Sequence, residues 1–106
     1  MRWQVHNSNL HVSESLNKAI GQKVEKIKTR LKRYHPDVAD LDIKLDHLEN
    51  GNEFECNLTL KAFRDTLHAS KSAPELRVAV DRSFEAMFKE LDYYRTKLNK
   101  SLQSGA

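Results

Sequence analysis

"LDIKLDHLENGNEFECNLTL", residues 41–60, decides more of the fold than any other stretch of this chain. Leu41, Ile43 and Leu45 alternate with Asp42, Lys44 and Asp46, while Phe54, Cys56, Leu58 and Leu60 alternate with Glu55, Asn57, Thr59 and Lys61. Successive side chains of a strand point to opposite faces, so each run reads as a strand with one apolar and one polar side. Between them lies "ENGN", in which Asn50-Gly51 suits a tight hairpin that needs positive φ.

Downstream, "FRDT" reads as a second turn, and "TLHASK" as a short strand carrying Leu67 and Ala69. Pro74 and Glu75 then open a long helix with Leu76, Val80, Phe84, Met87, Phe88, Leu91 and Leu98 on its core side. Upstream, Met1 to Asn7 alternates, with Trp3 and Val5 opposite Arg2, Gln4 and His6. Ser13 suits an N-cap, with Glu14 in the first turn where the helix dipole favours an acid. Leu16, Ile20, Val24, Ile27, Leu31 and Tyr34 recur at helical spacing until Pro36 stops the run.

The order is β-α-β-β-β-α. Apolar-faced strands with two amphipathic helices give an α+β fold, a single four-stranded sheet with both helices packed on one face. The other sheet face is expected to be solvated, showing Arg2, Gln4, His6, Asp42, Lys44, Asp46, Asn57, Thr59, Lys61 and His68. At 106 residues this is one domain, expected over 1–100, with 101–106 as a short flexible tail.

No apolar run reaches membrane-spanning length, and "MRWQVHNSNL" lacks the apolar stretch of a signal peptide. Cys56 is the sole cysteine, so there is no disulfide framework, and a cytoplasmic setting is expected. Catalysis has little to stand on. The five histidines are scattered, Cys56 falls on a buried strand face, and the three glycines form no phosphate loop. Asp37, Asp40, Asp42, Asp46 and His47 are a poor metal set, because alternation places Asp42 and Asp46 on a solvated sheet face and Asp37 and Asp40 fall in a turn. No enzyme activity, cofactor, metal or small-molecule substrate is expected.

Charge placement is more informative. The chain carries 18 basic and 15 acidic residues, net +3. Yet "KVEKIKTRLKR", residues 23–33, holds six basic residues against Glu25 alone. Lys23, Lys26, Arg30 and Arg33 form one helical line of about 15 Å, beside the apolar stripe. Lys28 and Lys32 fall on the other flank. Like charges at i,i+4, Lys26/Arg30 and Lys28/Lys32, repel, and a polyanion would relieve that repulsion. A basic helix is also commonly a solvated surface that complements the dipole at its C-terminus, and charge alone leaves these two readings level. On the second helix Arg82, Lys89, Tyr93 and Lys100 share an outward face, with Lys97 near and Arg95 in the closing turns. Glu85 and Glu90 dilute them.

The pattern as a whole resembles the ribosome hibernation promoting factor family, also called ribosome-associated inhibitor A or sigma-54 modulation proteins, in its short form. "HVSESLNKAIGQKVEKI" is similar to the family's first-helix segment. "ECNLTLKAFRDTLHASKSAPELRVAVD" is similar to its third and fourth strands and the start of its last helix.

The resemblance implies a fold like that of a double-stranded-RNA-binding domain with an extra strand. It further implies binding to the small ribosomal subunit and its rRNA in the whole ribosome. The domain would sit in the mRNA and tRNA channel between head and platform, silencing translation in stationary phase or stress. By register it carries rRNA contacts to Lys23, Lys26, Lys89, Arg95 and Lys97; Arg30 and Arg33 extend the first line by geometry, Lys28 adds charge, and Arg82 and Tyr93 are candidate rRNA contacts on the outward face of the second helix. Ala86 and Tyr93 depart from the family, which usually has Lys or Arg there, and Asp92 adds an acid. Long members carry a C-terminal domain that pairs ribosomes; lacking one, this chain is expected to be unable to pair ribosomes alone, and the free protein is expected to be monomeric.

The rival readings are a generic double-stranded-RNA binder and a protein-interaction, sigma-factor-modulating module. The first typically has a Lys cluster opening its last helix, which "APELRVAVDR" lacks. The second calls for an exposed apolar patch, and none is evident. An RNA-recognition motif would need aromatics on its sheet face, where none is expected.

Overall fold

A computed structural model describes residues 1–8, 10–32, 39–62 and 65–104, with side chains as far as Lys97. Its elements are β1 (Arg2–Ser8), α1 (Glu14–Leu31), β2 (Asp40–Leu48), β3 (Glu53–Ala62), β4 (Asp65–Ala73) and α2 (Leu76–Ser104). The four strands form one sheet in the order β1-β2-β3-β4. β1 runs parallel to β2, and the remaining neighbours are antiparallel. The α+β class and the element order expected from the alternations are both present.

Register follows the apolar pattern. Leu41 lies opposite Leu60, Ile43 opposite Leu58 and Leu45 opposite Cys56. A one-residue slip of either strand would turn its own three toward solvent, so burial specifies the pairing strongly. Onto this floor α1 lays Ile20, Val24, Ile27 and Leu31, and α2 lays Val80, Phe84, Met87 and Leu91, all essentially solvent-free. Both helices therefore sit on one side, and the opposite face keeps only polar side chains over most of its area. Gln4 donates to Asp42 at 2.6 Å and Ser8 to Asp46 at 2.7 Å on that outer surface.

Local details fix the helices. Ser13 is the N-cap of α1, its hydroxyl accepting from the Leu16 amide at 3.1 Å. α1 ends at Leu31 with Lys32 as C-cap; Arg33, Tyr34 and Pro36 lie outside the described residues. α2 continues to Ser104, four residues past the boundary drawn at position 100. Lys100, Ser101, Leu102 and Gln103 are all tolerated in a helix, and no glycine or proline interrupts them before Gly105.

The β2–β3 connection is wider than the expected two-residue turn. The ladder closes at Leu48 and Glu53, leaving Glu49 to Asn52 as the loop. Positive φ falls on Gly51 (93°) and Asn52 (51°), not on Asn50. With Asn50 in ordinary geometry the flanking strands splay, which ends the ladder one pair early. Asn52 tolerates the left-handed region, and its Oδ1 is held 3.0 Å from His47 Nε2.

β4 is longer than the six-residue strand read from "TLHASK". Lys71 shares the inward parity of Ala69 and Ala73, yet is exposed because β4 is an edge. An inward charge on an edge strand discourages pairing with another chain. The core also takes in Tyr94, which lies outside the apolar line expected for α2. Tyr94 is buried and its hydroxyl donates to the Ala62 carbonyl at 3.4 Å.

Candidate nucleic-acid interface

The basic side chains take their positions from two helices that lie side by side and run in the same direction. Lys23 of α1 meets Asp81 of α2, and seven residues on, Arg30 meets Phe88 and Asp92. Residue numbers thus rise together along the seam between the helices.

At the first contact, Lys23 Nζ lies 3.0 Å from Asp81 Oδ1 and 6.0 Å from the centre of the Phe84 ring. Arg77 reaches the same carboxylate oxygen at 3.4 Å. At the second, Arg30 lays its guanidinium 4.4 Å over the Phe88 ring. Its Nε lies 3.4 Å from Asp92 Oδ1 and its Nη1 donates to the Lys26 carbonyl at 3.2 Å. Arg95 shares that carboxylate oxygen at 3.4 Å. Arg30 is thereby pinned in place rather than swinging freely. Each carboxylate serves two cations, so each cluster keeps one uncompensated positive charge.

The other expected contact residues separate into distinct groups. Lys26 is exposed beside the seam on α1 and has no carboxylate in ion-pair range among the described residues. Arg82, Lys89 and Tyr93 are exposed on the outward side of α2, Tyr93 at 73%. Arg82 and Lys89 border a shallow surface with Lys71, Ser72, Glu85 and Glu90. Lys97 is exposed one turn beyond Tyr93. Lys28 stands apart, on the far flank of α1, where Glu25 neutralises it at 3.0 Å. Arg33 lies outside the described residues. The helices therefore bring Lys23, Arg30 and Arg95 into one seam, with Lys26 beside it and Arg82, Lys89 and Lys97 on the adjoining outward face.

Sequence reading missed Arg77, Asp81, Phe84 and Phe88 as members of the seam, and Lys71 as a neighbour of Arg82. The signal for the first pair was present: Arg77 and Asp81 stand at i,i+4. The aromatic pair was assigned wholly to the core, although both rings also carry a cation on one side.

The remaining chemistry is sparse. Burial pushes the Cys56 thiol up to about 11, against the help of the Ser83 hydroxyl, so it is a poor nucleophile at neutral pH. Among the described residues, no three His, Cys, Asp or Glu side chains are grouped to hold a metal ion. Among the same residues, no helix is long and apolar enough to cross a membrane.

By class, the chain is a four-stranded α+β domain with two like-directed helices on one face and cations gathered along those helices. Residues 3–99 match the family described as Sigma 54 modulation protein / S30EA ribosomal protein, and the chain belongs to that family. It is a family of ribosome-associated factors and not an enzyme family.

Solved structures bear out the fold. The N-terminal domain of Protein Y from Thermus thermophilus superposes with a TM-score of 0.71 at 13% identity, covering 89% of this chain and 99% of that one. A ribosomal subunit interface protein from Coxiella burnetii gives 0.73 at 16% identity, covering 91% and 99%. No curated protein matches the chain.

Proposed function

We propose that this protein is a non-enzymatic stasis factor of the cytoplasm. It binds small-subunit rRNA in the mRNA and tRNA channel and blocks translation by occupying that space. The observation that carries this reading is the segregation of charge. On the helical side Lys23, Lys26, Arg30, Arg77, Arg82, Lys89, Arg95 and Lys97 outnumber the acids of the two helices, Glu14, Glu25, Asp81, Glu85, Glu90 and Asp92. On the outer sheet face Arg2, Lys44 and Lys61 are outnumbered by Asp40, Asp42, Asp46, Glu53 and Glu55. A surface of this kind presents one face to phosphates and repels them from the other.

The role needs no bond-making step. The helices supply phosphate contacts, the sheet holds them rigid, and bulk excludes tRNA and mRNA. A structural neighbour described as a ribosomal subunit interface protein agrees with a site on the ribosome. Partners of this chain are then the small subunit and its rRNA in whole ribosomes, with the free protein monomeric.

Co-sedimentation with purified small subunits tests the surface. Lys23→Glu combined with Lys26→Glu should abolish pelleting at moderate salt, and equal binding by variant and parent overturns the assignment. Translation in vitro tests the role: stoichiometric protein should lower initiation, and no inhibition at excess overturns it. A generic double-stranded-RNA binder would instead bind free duplex as tightly as subunits. A protein-interaction module would show weak salt dependence.

A further inference from the structure

The seam has an unexpected composition for a phosphate-binding surface, because two acids stand in the middle of it. Asp81 and Asp92 are eleven residues apart on α2, three turns or about 16 Å, and so lie on one stripe facing α1. Each uses a single oxygen, Oδ1, for two cations from different helices: Lys23 (3.0 Å) and Arg77 (3.4 Å) at Asp81, Arg30 and Arg95 (both 3.4 Å) at Asp92. Both carboxylates are partly exposed, 43% and 57%, and stand at the solvent side of the more enclosed Lys23 (19%), Arg30 (29%) and Arg95 (32%).

We infer that Asp81 and Asp92 are positioning residues that make the cationic face selective. They hold Lys23, Arg30, Arg77 and Arg95 in shared pairs that a flexible polyanion displaces poorly and a rigid array of phosphates displaces together. This inference rests on the rRNA-binding reading. The physical basis is competition. An attached carboxylate is always present at the cation, whereas a phosphate on a floppy strand must be ordered at entropic cost before it can replace it. Folded RNA brings its phosphates already ordered. It engages Lys26, Arg82 and Lys89, which have no ion-pair partner among the described residues, in the same event, and so offsets the loss of four intramolecular pairs. Specificity is the difference of the two affinities, and the acids lower the unwanted one more.

Removing any acid raises affinity for polyanions, so the test needs a charge-matched control. Glu85 and Glu90 supply it: they sit on the same helix and, among the described residues, pair with no cation. Binding of polyuridylate and of purified small ribosomal subunits would be measured over a salt series. The proteins are the parent, Asp81→Asn/Asp92→Asn, Asp81→Glu/Asp92→Glu and Glu85→Gln/Glu90→Gln. The double Asn variant should bind polyuridylate at least about fivefold tighter, with a log–log salt slope steeper by about 1.4, two released sites at roughly 0.7 each on a single strand. Its gain on subunits should be several-fold smaller. The double Glu variant should stay within about twofold of the parent on both ligands, and the Gln control should gain less than about twofold.

Equal gains by the Asn variant and the Gln control, or equal gains on both RNAs, would overturn the inference. Circular dichroism confirms folding, and the single Asn variants decide the matter if the double does not fold. Failure of the parent to bind subunits defeats the proposed function instead. The polyuridylate arm with its charge-matched control still decides whether the carboxylates hold the cations back.

Discussion

Cys56 and Tyr94 show how single side chains tie stability to pH. Burial pushes the Cys56 thiol from 9.0 up to about 11. Burial, aided by the Asp65 carboxylate, pushes the Tyr94 phenol from 10.0 up to about 12. Both groups hold their proton more tightly folded than unfolded, so raising the pH favours the unfolded chain. Their contribution is fully present below pH 9.0 and is lost progressively as pH rises toward about 11 for the thiol. Urea midpoints measured from pH 8 to 11 should fall above pH 9, and Cys56→Ala should flatten the early part of that fall. The native thiol should also resist aromatic disulfide reagents at pH 8 while the urea-unfolded chain reacts at once. Beside it, fully buried Ser83 donates to the Cys56 carbonyl at 2.8 Å, joining α2 to β3. Ser83→Ala removes one buried hydrogen bond and should cost about 1 kcal/mol in chemical denaturation.

At the level of elements, α1 carries a position that tertiary structure leaves free to improve. Gly21 lies in the middle of the helix, and a Cβ built there meets no atom within 4 Å. Glycine in a helix interior gives up more chain entropy than alanine, so Gly21→Ala should stabilise by about 0.5–1 kcal/mol. In a domain of this size that raises the thermal midpoint by about 3–6 °C, read by calorimetry or circular dichroism. Legibility of the elements divided along physical lines. Strands and helices were readable because period-2 and period-3.6 burial is written in neighbouring residues, as in Leu41–Leu45 and Leu16–Leu31. The hairpin was misjudged by one pair because Asn50-Gly51 satisfies the same local rule as the Gly51-Asn52 pair that adopts positive φ. The Lys23–Asp81 and Arg30–Asp92 bridges were unreadable for another reason. Periodicity says which face a residue shares on its own helix, but not which residue of the next helix stands opposite. Tyr94 was overlooked because its burial depends on the Ala62 end of β3, more than thirty positions away.

Across the whole molecule, the proposed function rests on how charge is divided between two faces; among the described residues no metal-holding cluster competes with it. Net charge is only +3, too small to bind RNA by itself. What matters is the balance on each side of the sheet, with cations in excess on the helical side and acids in excess on the outer face. This division makes a prediction that net charge alone does not. Lys26→Gln/Lys89→Gln and Lys44→Gln/Lys61→Gln remove the same charge, but from opposite faces. If the helical face contacts phosphates, the first pair should lower the salt slope of small-subunit binding by about 1.4–1.8, at roughly 0.7–0.9 per contact. The second should shift it by less than about 0.3, because those lysines never approach a phosphate. Affinity at moderate salt should fall for the first variant and hold for the second. Equal slopes for the two variants would mean that RNA responds to the overall field rather than to a docked face, and the two-helix surface would lose its role.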